Sequence, residues 1–376
     1  LAVRLFPRRS AANLDAFQLF AERNLDLAKR IGVLLPSAFH ANDSVADLRR
    51  RYFRERAISF CWSFENRRKL FDIDSRFKFC LVVAGAPGPT RSLRCAFYLE
   101  SPADLDDPAR IMDYDADFLA ASGGTPLELR GTADLAIARQ LYRHEIRFGP
   151  WCETLGIRFG CDLHMTADAH RFQPAGAAPL ILHEGKTFHQ FTDRWDTPPR
   201  YSVSEMDLRD KPTVLEAVRH PRIAFRDIAR SNDERTMIAT IMPPGSVFGH
   251  TATVEKHPGH RPPANAFAAC ALMNSFVFDW LVRQKTATHL SLYIVADTPV
   301  PIHLPDTLSE TAQRLCTGLP GLDERWRLRA NADALIAKAY GLTRSEYAHL
   351  LNSFSHKSFP AAPAWCLEAF DRQSLT

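Results

Sequence analysis

Three apolar runs in the first quarter of the chain limit its possible folds more than any other feature. IGVLLP (31–36), ISFCWSF (58–64) and FKFCLVVAG (77–85) have strand length and are rich in aromatic and β-branched residues. Before the first, NLDAFQLFAERNLDLAKR (13–30) reads as a helix capped by Asn13, with Leu14, Phe17, Ala21, Leu25 and Ala28 on one stripe. Between the first two, SVADLRRRYFRERA (44–57) reads as a second helix with a basic face. Helix, strand, helix, strand is α/β order. The last two runs are joined only by the polar link 65–76, too short for a crossover helix, which predicts antiparallel pairing. IGVLLP, continuous and closed by Pro36, reads as a strand buried on both faces.

At 376 residues the chain can bury a large core and has room for two or three domains. Its net charge of +4 permits a nucleic-acid partner without arguing for one. The eight cysteines form no CxxC pair, and most sit beside apolar residues, the pattern of reduced thiols in a cytoplasmic protein. No apolar run approaches membrane-spanning length, and the start has charges but no apolar signal segment. The chain opens on Leu1, a hint that the natural start lies upstream.

Further along, 86–110 opens on a Gly/Pro turn, passes through an edge-like strand at 93–99 and ends in an acidic, proline-bearing link, a candidate boundary. Residues 125–148 contain a helix capped by Thr132 or Asp134, with Leu135, Ala138, Leu141 and Tyr142 on one face. The run from Ala266 predicts a helix burying Cys270, Met273, Phe276 (or Val277) and Trp280, then a strand LSLYIV (290–295). Residues 306–376 read as helices: LSETAQRLC with a Ser-x-x-Thr-like cap, a long helix stopped by Gly341, and another with Thr343 and Glu346 as a capping box.

The stretch 180–235 holds the candidate chemistry. Apolar residues 180–182 deliver Lys186, His189, Gln190 and Arg194, and apolar residues 223–225 deliver Arg226, Asp227, Arg230, Asn232 and Arg235. Long cationic and amide side chains at strand ends suit phosphates and base edges. They equally describe a solvated rim, the default on composition alone.

Several segments carry a resemblance. DAFQLFAERNLDLAKRIGVLLPSAF and SFENRRKLFDIDSRFKFCLVVAG resemble the second half of the catalytic domain of class-γ adenine-N6 DNA methyltransferases. HEGKTFHQFTDRW and RIAFRDIARSNDERTMIATIMPPGSVFGHT resemble the target recognition domain of such enzymes in type II fused restriction–modification (type IIG/IIL-like) or BREX-like defence systems, and the spacer resembles the family down to the HMTADAHRF run just ahead of that domain. The stretch after Ala266 also resembles specificity subunits of type I restriction systems, and the likeness covers nearly the whole chain. It implies a partial Rossmann-like α/β methyltransferase sheet over 1–110, a partly helical spacer over 111–165, an α+β target recognition domain over 166–305 and helices over 306–376. By position, Phe71 matches an aromatic that stacks on the extruded adenine, with Phe64 and Phe77 as alternatives; a flipped base needs a flat apolar face. A loop-anchoring core role fits Phe71 as well. Phe20 matches a position bordering S-adenosylmethionine, or simply packs on its stripe. DNA contacts fall to Lys186, His189, Gln190, Arg194, Arg226, Arg230, Asn232, Arg235, Arg283 and Lys285, with Gln190, Arg226 or Asn232 on bases. Arg283 and Lys285 also suit a helix C-terminus.

The departures matter as much. The family's glycine-rich donor turn and its Asn/Asp-Pro-Pro-aromatic catalytic loop are absent: TPPRY, MPPGS and RPPAN all lack the flanking residues. The chain is therefore expected to hold duplex DNA and supply a stacking ring, with S-adenosylmethionine bound by a missing N-terminal half, in the same chain or a separate subunit. The alternative is a non-catalytic DNA-specificity subunit serving a separate methyltransferase. No metal site is expected: His183 and His189 lack the zinc-protease spacing, and His250, His257 and His260 have no nearby cysteine or acid at ligand spacing. GKTF lacks the upstream glycine of a phosphate loop.

Overall fold

The computed structural model describes residues 15–373 except 287, 288 and 319. It divides into two compact units, 1–142 and 143–376. No single helix among the described residues is long and apolar enough to cross a membrane.

The first unit is built on a five-stranded mixed sheet. Its strands are β1 (Ile31–Pro36), β2 (Arg56–Glu65), β3 (Lys78–Pro87), β4 (Ser92–Leu99) and β5 (Met112–Asp115), in the order β1-β3-β2-β4-β5. β2 and β3 pair antiparallel, as the short link requires. β3 also pairs antiparallel with β1, which places β1 at one edge. That position corrects the expectation of burial on both faces: only Ile31 and Leu35 are buried, and Leu34 is 51% exposed. The segment 93–99, expected at an edge, is interior. It runs parallel to β2 and takes β5 on its other side, so the sheet continues past Arg110.

Helix Ala16–Leu27 buries Ala21 and Leu25 of the expected stripe, while Phe17 is half-buried and Ala28 exposed; Asn13 and Leu14 lie outside the described residues. Helix Ala46–Glu55 does not present a simple basic face. Arg49 is buried and donates to the carbonyls of Phe39, Asn42 and Gly124, and Arg51 is buried against Glu22 and Glu55. In helix Thr132–Leu141 the cap position is Gly131. Asp134 lies inside the first turn, where its carboxylate accepts from the Arg130 amide.

The second unit holds two small sheets. Its strands are β6 (Phe159–Gly160), β7 (Gln173–Pro174), β8 (Leu180–His183), β9 (Tyr201–Val203), β10 (Arg222–Arg226), β11 (Ala239–Met242), β12 (Ser246–Phe248) and β13 (Ala252–Glu255). One sheet runs β11-β10-β13-β6, the other β12-β8-β9-β7. A hydrogen bond from the buried Arg222 ties them, and buried ion pairs brace the surroundings. Arg222 of β10 binds Asp162 at 2.7 Å and the Ser246 carbonyl of β12, and Glu255 of β13 takes both arms of Arg261 at 2.6 Å.

Helices Pro263–Met273 and Phe276–Arg283 replace the single helix expected there and bend by 63° at the break. Cys270, Met273, Phe276 and Trp280 are all buried. The segment read as a strand is mostly helical: Leu292–Ala296, with the Ser291 hydroxyl accepting from the Ile294 amide. Helices Thr307–Thr317, Leu322–Ala339, Arg344–Asn352 and Ala362–Arg372 follow. Ser309 is not a cap but lies within the first of these. Gly341 sits at φ 74° after the long helix, and Thr343 with Glu346 forms the reciprocal capping box.

Candidate nucleic-acid interface

The segment after β8 is shaped by close backbone approach. A Cβ on Gly185 would come within 2.6 Å of the Thr251 carbonyl oxygen, so only glycine fits there. Beyond it the chain makes a tight loop. The His189 amide donates to Thr192 and the Thr192 amide to His189, and Phe191 adopts φ 59° while its amide donates to Ala239 of β11. The loop lays the His189 ring on Trp195 with centroids 4.0 Å apart. Trp195 is 46% exposed.

This loop forms one wall of a cavity of about 530 Å³, the size of a small-ligand pocket. The opposite wall includes Arg325, Trp326 and Arg329 of helix Leu322–Ala339. Arg325 donates to the carbonyls of Gln190 and Phe191, and Arg329 donates to the Gln190 amide oxygen and lies 4.2 Å from the Trp326 ring centroid. From β10, Arg226 donates to the Phe188 carbonyl. Among the described residues, no carboxylate lies within ion-pair distance of Arg226, Arg325 or Arg329.

Three guanidiniums here are bonded to neutral carbonyls and amides and not to a carboxylate, although Asp233 and Glu234 also line the cavity. Burial pushes Arg226 down to about 10, and burial with repulsion from Arg235 and Arg325 pushes Arg329 down to about 9. Arg325 is lowered, again chiefly by burial. His189 is pushed down to about 3 by burial and then by Arg226 and Arg329, so its ring is neutral at neutral pH. An anion with a flat apolar portion matches this arrangement, because it would neutralise the cations and stack on the rings.

Of the ten candidate DNA-contacting residues, His189, Gln190, Arg194, Arg226 and Arg235 line this cavity. Two of those five are committed internally. Gln190 is buried, with its amide donating to the Met237 carbonyl. Arg235 is buried against Asp279 at 2.7 Å and the Asn274 carbonyl. Arg283 shares the same Asp279 and packs on the Phe354 ring, and Lys285 binds Asp297 at 2.7 Å. These four side chains brace the fold where a phosphate or base contact was expected, because their partners are brought from distant or unremarked positions. Lys186 is half-exposed near Glu184, which Arg200 already grips with both arms. Arg230 and Asn232 are exposed on the turn after β10. Arg325, Arg329, Trp195 and Trp326 were missed; the i,i+4 spacing of Arg325 and Arg329 was the available signal.

In the first unit, Phe71 stands on the loop between β2 and β3. The buried Asn66 side chain shapes that loop, accepting from the Phe71 amide and donating to the carbonyls of Phe71 and Ile73. Phe71 is 44% exposed, with its ring edge-on to Phe79 at 4.9 Å, and Phe79 stacks on the buried Phe64. Leu70, Ile73 and Phe77 are exposed beside it. One edge of the Phe71 ring is thus anchored, and part of the ring faces out. Phe20 is 70% exposed, a lone ring that does not by itself make a pocket for a charged nucleoside, so it does not amount to a fit for S-adenosylmethionine.

No protein-family model matches the chain, and no curated protein matches it. Solved structures do. The chain is similar to the type IIL restriction–modification enzyme MmeI, solved in complex with DNA, with 10% identity over 93% of this chain and a TM-score of 0.51. Weaker likenesses are to the type IIG restriction endonuclease BpuSI, with 11% identity over 96% of this chain and a TM-score of 0.34, and to a type I restriction–modification assembly, with 20% identity over 37% and a TM-score of 0.22. The match covers 53% of MmeI, 51% of BpuSI and 25% of the type I chain, so this chain spans about half the length of the first two. The fold is therefore of the MmeI kind: a mixed α/β protein with one five-stranded mixed sheet, two smaller sheets and C-terminal helices.

Proposed function

We propose that this chain is the DNA-gripping part of a site-specific adenine-N6 DNA methyltransferase of a restriction–modification or phage-defence system. The second unit reads the duplex, and Phe71 of the first stacks on the flipped adenine. The observation that carries this reading is the cavity whose arginines, Arg226, Arg325 and Arg329, have no carboxylate partners among the described residues and stand beside the His189–Trp195 pair and Trp326. An anionic polymer with flat bases meets both demands. The MmeI-like fold is consistent with it. Arg194, Lys186 and Arg230, all exposed or half-exposed, extend the cationic surface to the backbone, and Asn232 is an amide available to a base edge. The exposed edge of β1, with Leu34 uncovered, fits a sheet that further strands would extend.

Fluorescence anisotropy with a labelled duplex tests the reading. Alanine at Arg226 and at Lys186 should each weaken binding, and the salt dependence should become shallower by roughly one unit of slope for each phosphate no longer neutralised. Unchanged affinity and slope in both variants would remove the site from consideration.

A further inference from the structure

The helix Ala38–Ala41, which directly follows β1, carries His40 into the interior of the first unit beside two cysteines of the sheet. A ring nitrogen of His40 and the Sγ atoms of Cys61 and Cys80 all lie within 4.8 Å of one another. The three residues are 0–3% exposed. Strand register explains the convergence. Cys61 on β2 pairs with Val82 on β3, and Cys80 lies two residues from Val82, so both thiols leave the same face of neighbouring strands.

Two features separate this group from an ordinary pair of core thiols under a histidine. The His40 Nε2 atom is engaged with Glu128 at 3.0 Å, while Nδ1, though buried, has no hydrogen-bond partner. An orphaned, fully buried ring nitrogen costs stability unless something accepts its lone pair or proton. Glu128 is itself held by Lys78, so a carboxylate fixes the orientation of the imidazole from behind. That is how a carboxylate orients a ligating histidine in metalloproteins.

We propose that His40 Nδ1, Cys61 Sγ and Cys80 Sγ supply three of the four donors of a zinc site, with a water molecule taking the fourth position. Two thiolates and a neutral imidazole around Zn2+ sum to zero charge, as an apolar interior demands. The thiol-rich donor set favours zinc over harder cations. Tetrahedral coordination sets donor atoms about 3.5–3.8 Å apart, so the side chains need to close by about 1 Å. Loading releases the two thiol protons to solvent and changes no oxidation state. The ion would tie the segment after β1 to the two central strands.

The test uses the whole chain, reduced, in a Cys161→Ser background that removes the exposed thiol. Elemental analysis after dialysis against Zn2+ should find about one equivalent, and Co2+ substitution should give a thiolate-to-metal charge-transfer band. Cys61→Ser with Cys80→Ser should abolish both. Glu128→Gln should leave the band and weaken affinity by about 10-fold or more. His40→Gln gives a second ligand deletion if the double variant fails to fold, as judged by circular dichroism. Retention of under a tenth of an equivalent by the folded parent, or equal binding by a folded ligand-deletion variant, overturns the site.

Discussion

Arg329→Met makes the sharpest test of the cavity, because stability and binding should move in opposite directions. Arg329 has no carboxylate partner among the described residues and is pushed down from 12.5 to about 9. At about 1.4 kcal/mol per tenfold, that displacement corresponds to roughly 5 kcal/mol against the charged form. The side chain keeps partial contact with solvent. That screens its charge, and its hydrogen bond to Gln190 and its stacking on Trp326 repay a further share, about 1 kcal/mol each. Methionine keeps the stem's length and drops the charge. The net expectation is a gain on the order of 1 kcal/mol in unfolding free energy, read from urea midpoints at neutral pH. Duplex affinity, read by anisotropy, should fall by about 10-fold, the cost of one charge-assisted hydrogen bond. A variant less stable by 1 kcal/mol or more, with unchanged affinity, would show that Arg329 is a brace and refute the argument.

Acid should weaken the second unit. His183 is pushed down to about 4 and His189 to about 3, both chiefly by burial, against an unfolded value of 6.5. Both are neutral above pH 6.5, where their contribution is fully present, and it is lost as pH falls from 6.5 toward 4. Asp333, raised to about 6 by burial, works in the opposite sense over part of that range. The net loss between pH 7 and pH 5 should be on the order of 2 kcal/mol; a urea midpoint that stays flat, or that falls equally in the His183→Gln/His189→Gln variant, contradicts it. Asp162→Asn should cost about 3–5 kcal/mol, since it strands the buried Arg222 and Lys256 together; thermal melting reads the loss. Phe71→Ala should cost about 1 kcal/mol or less in stability, because the ring is 44% exposed. It should weaken binding of a duplex with an unpaired adenine by about 10-fold more than binding of its fully paired counterpart.

What could be read from the sequence was local. The three apolar runs gave strands, and the brevity of the 65–76 link gave the pairing of β2 with β3. Thr343 and Glu346 form their cap because the two hydrogen bonds involve only residues three apart. What could not be read was relational. A continuous apolar run such as 31–36 or 290–295 does not say whether a neighbour covers it: β1 lies at an edge, and Ser291 starts a short helix where LSLYIV reads as a strand. The same blindness affected the cations. Arg235 and Arg226 look alike in the sequence, yet Arg235 meets Asp279, 44 positions on, and Arg226 meets the Phe188 carbonyl. Nor does any spacing rule connect residues 40, 61 and 80: sheet register brings the two cysteines together, and a short helix brings the histidine.

The difference between those two arginines is the most informative feature of the second unit. A fold that needs cations only for support supplies carboxylates, as it does for Arg222, Arg235, Arg261 and Arg283. Around one cavity, three arginines have no carboxylate within ion-pair distance among the described residues, although Asp233 and Glu234 line the same cavity. Such a site resists its own closure, so any anion that binds the folded form alone must raise stability by mass action: a ligand at 100 times its dissociation constant adds about 2.7 kcal/mol. Duplex DNA should therefore shift the melting temperature of the parent upward and should shift Arg329→Met far less, although the variant starts from the higher value. Equal shifts in the two proteins would mean that the duplex lies elsewhere and that these arginines serve another anion.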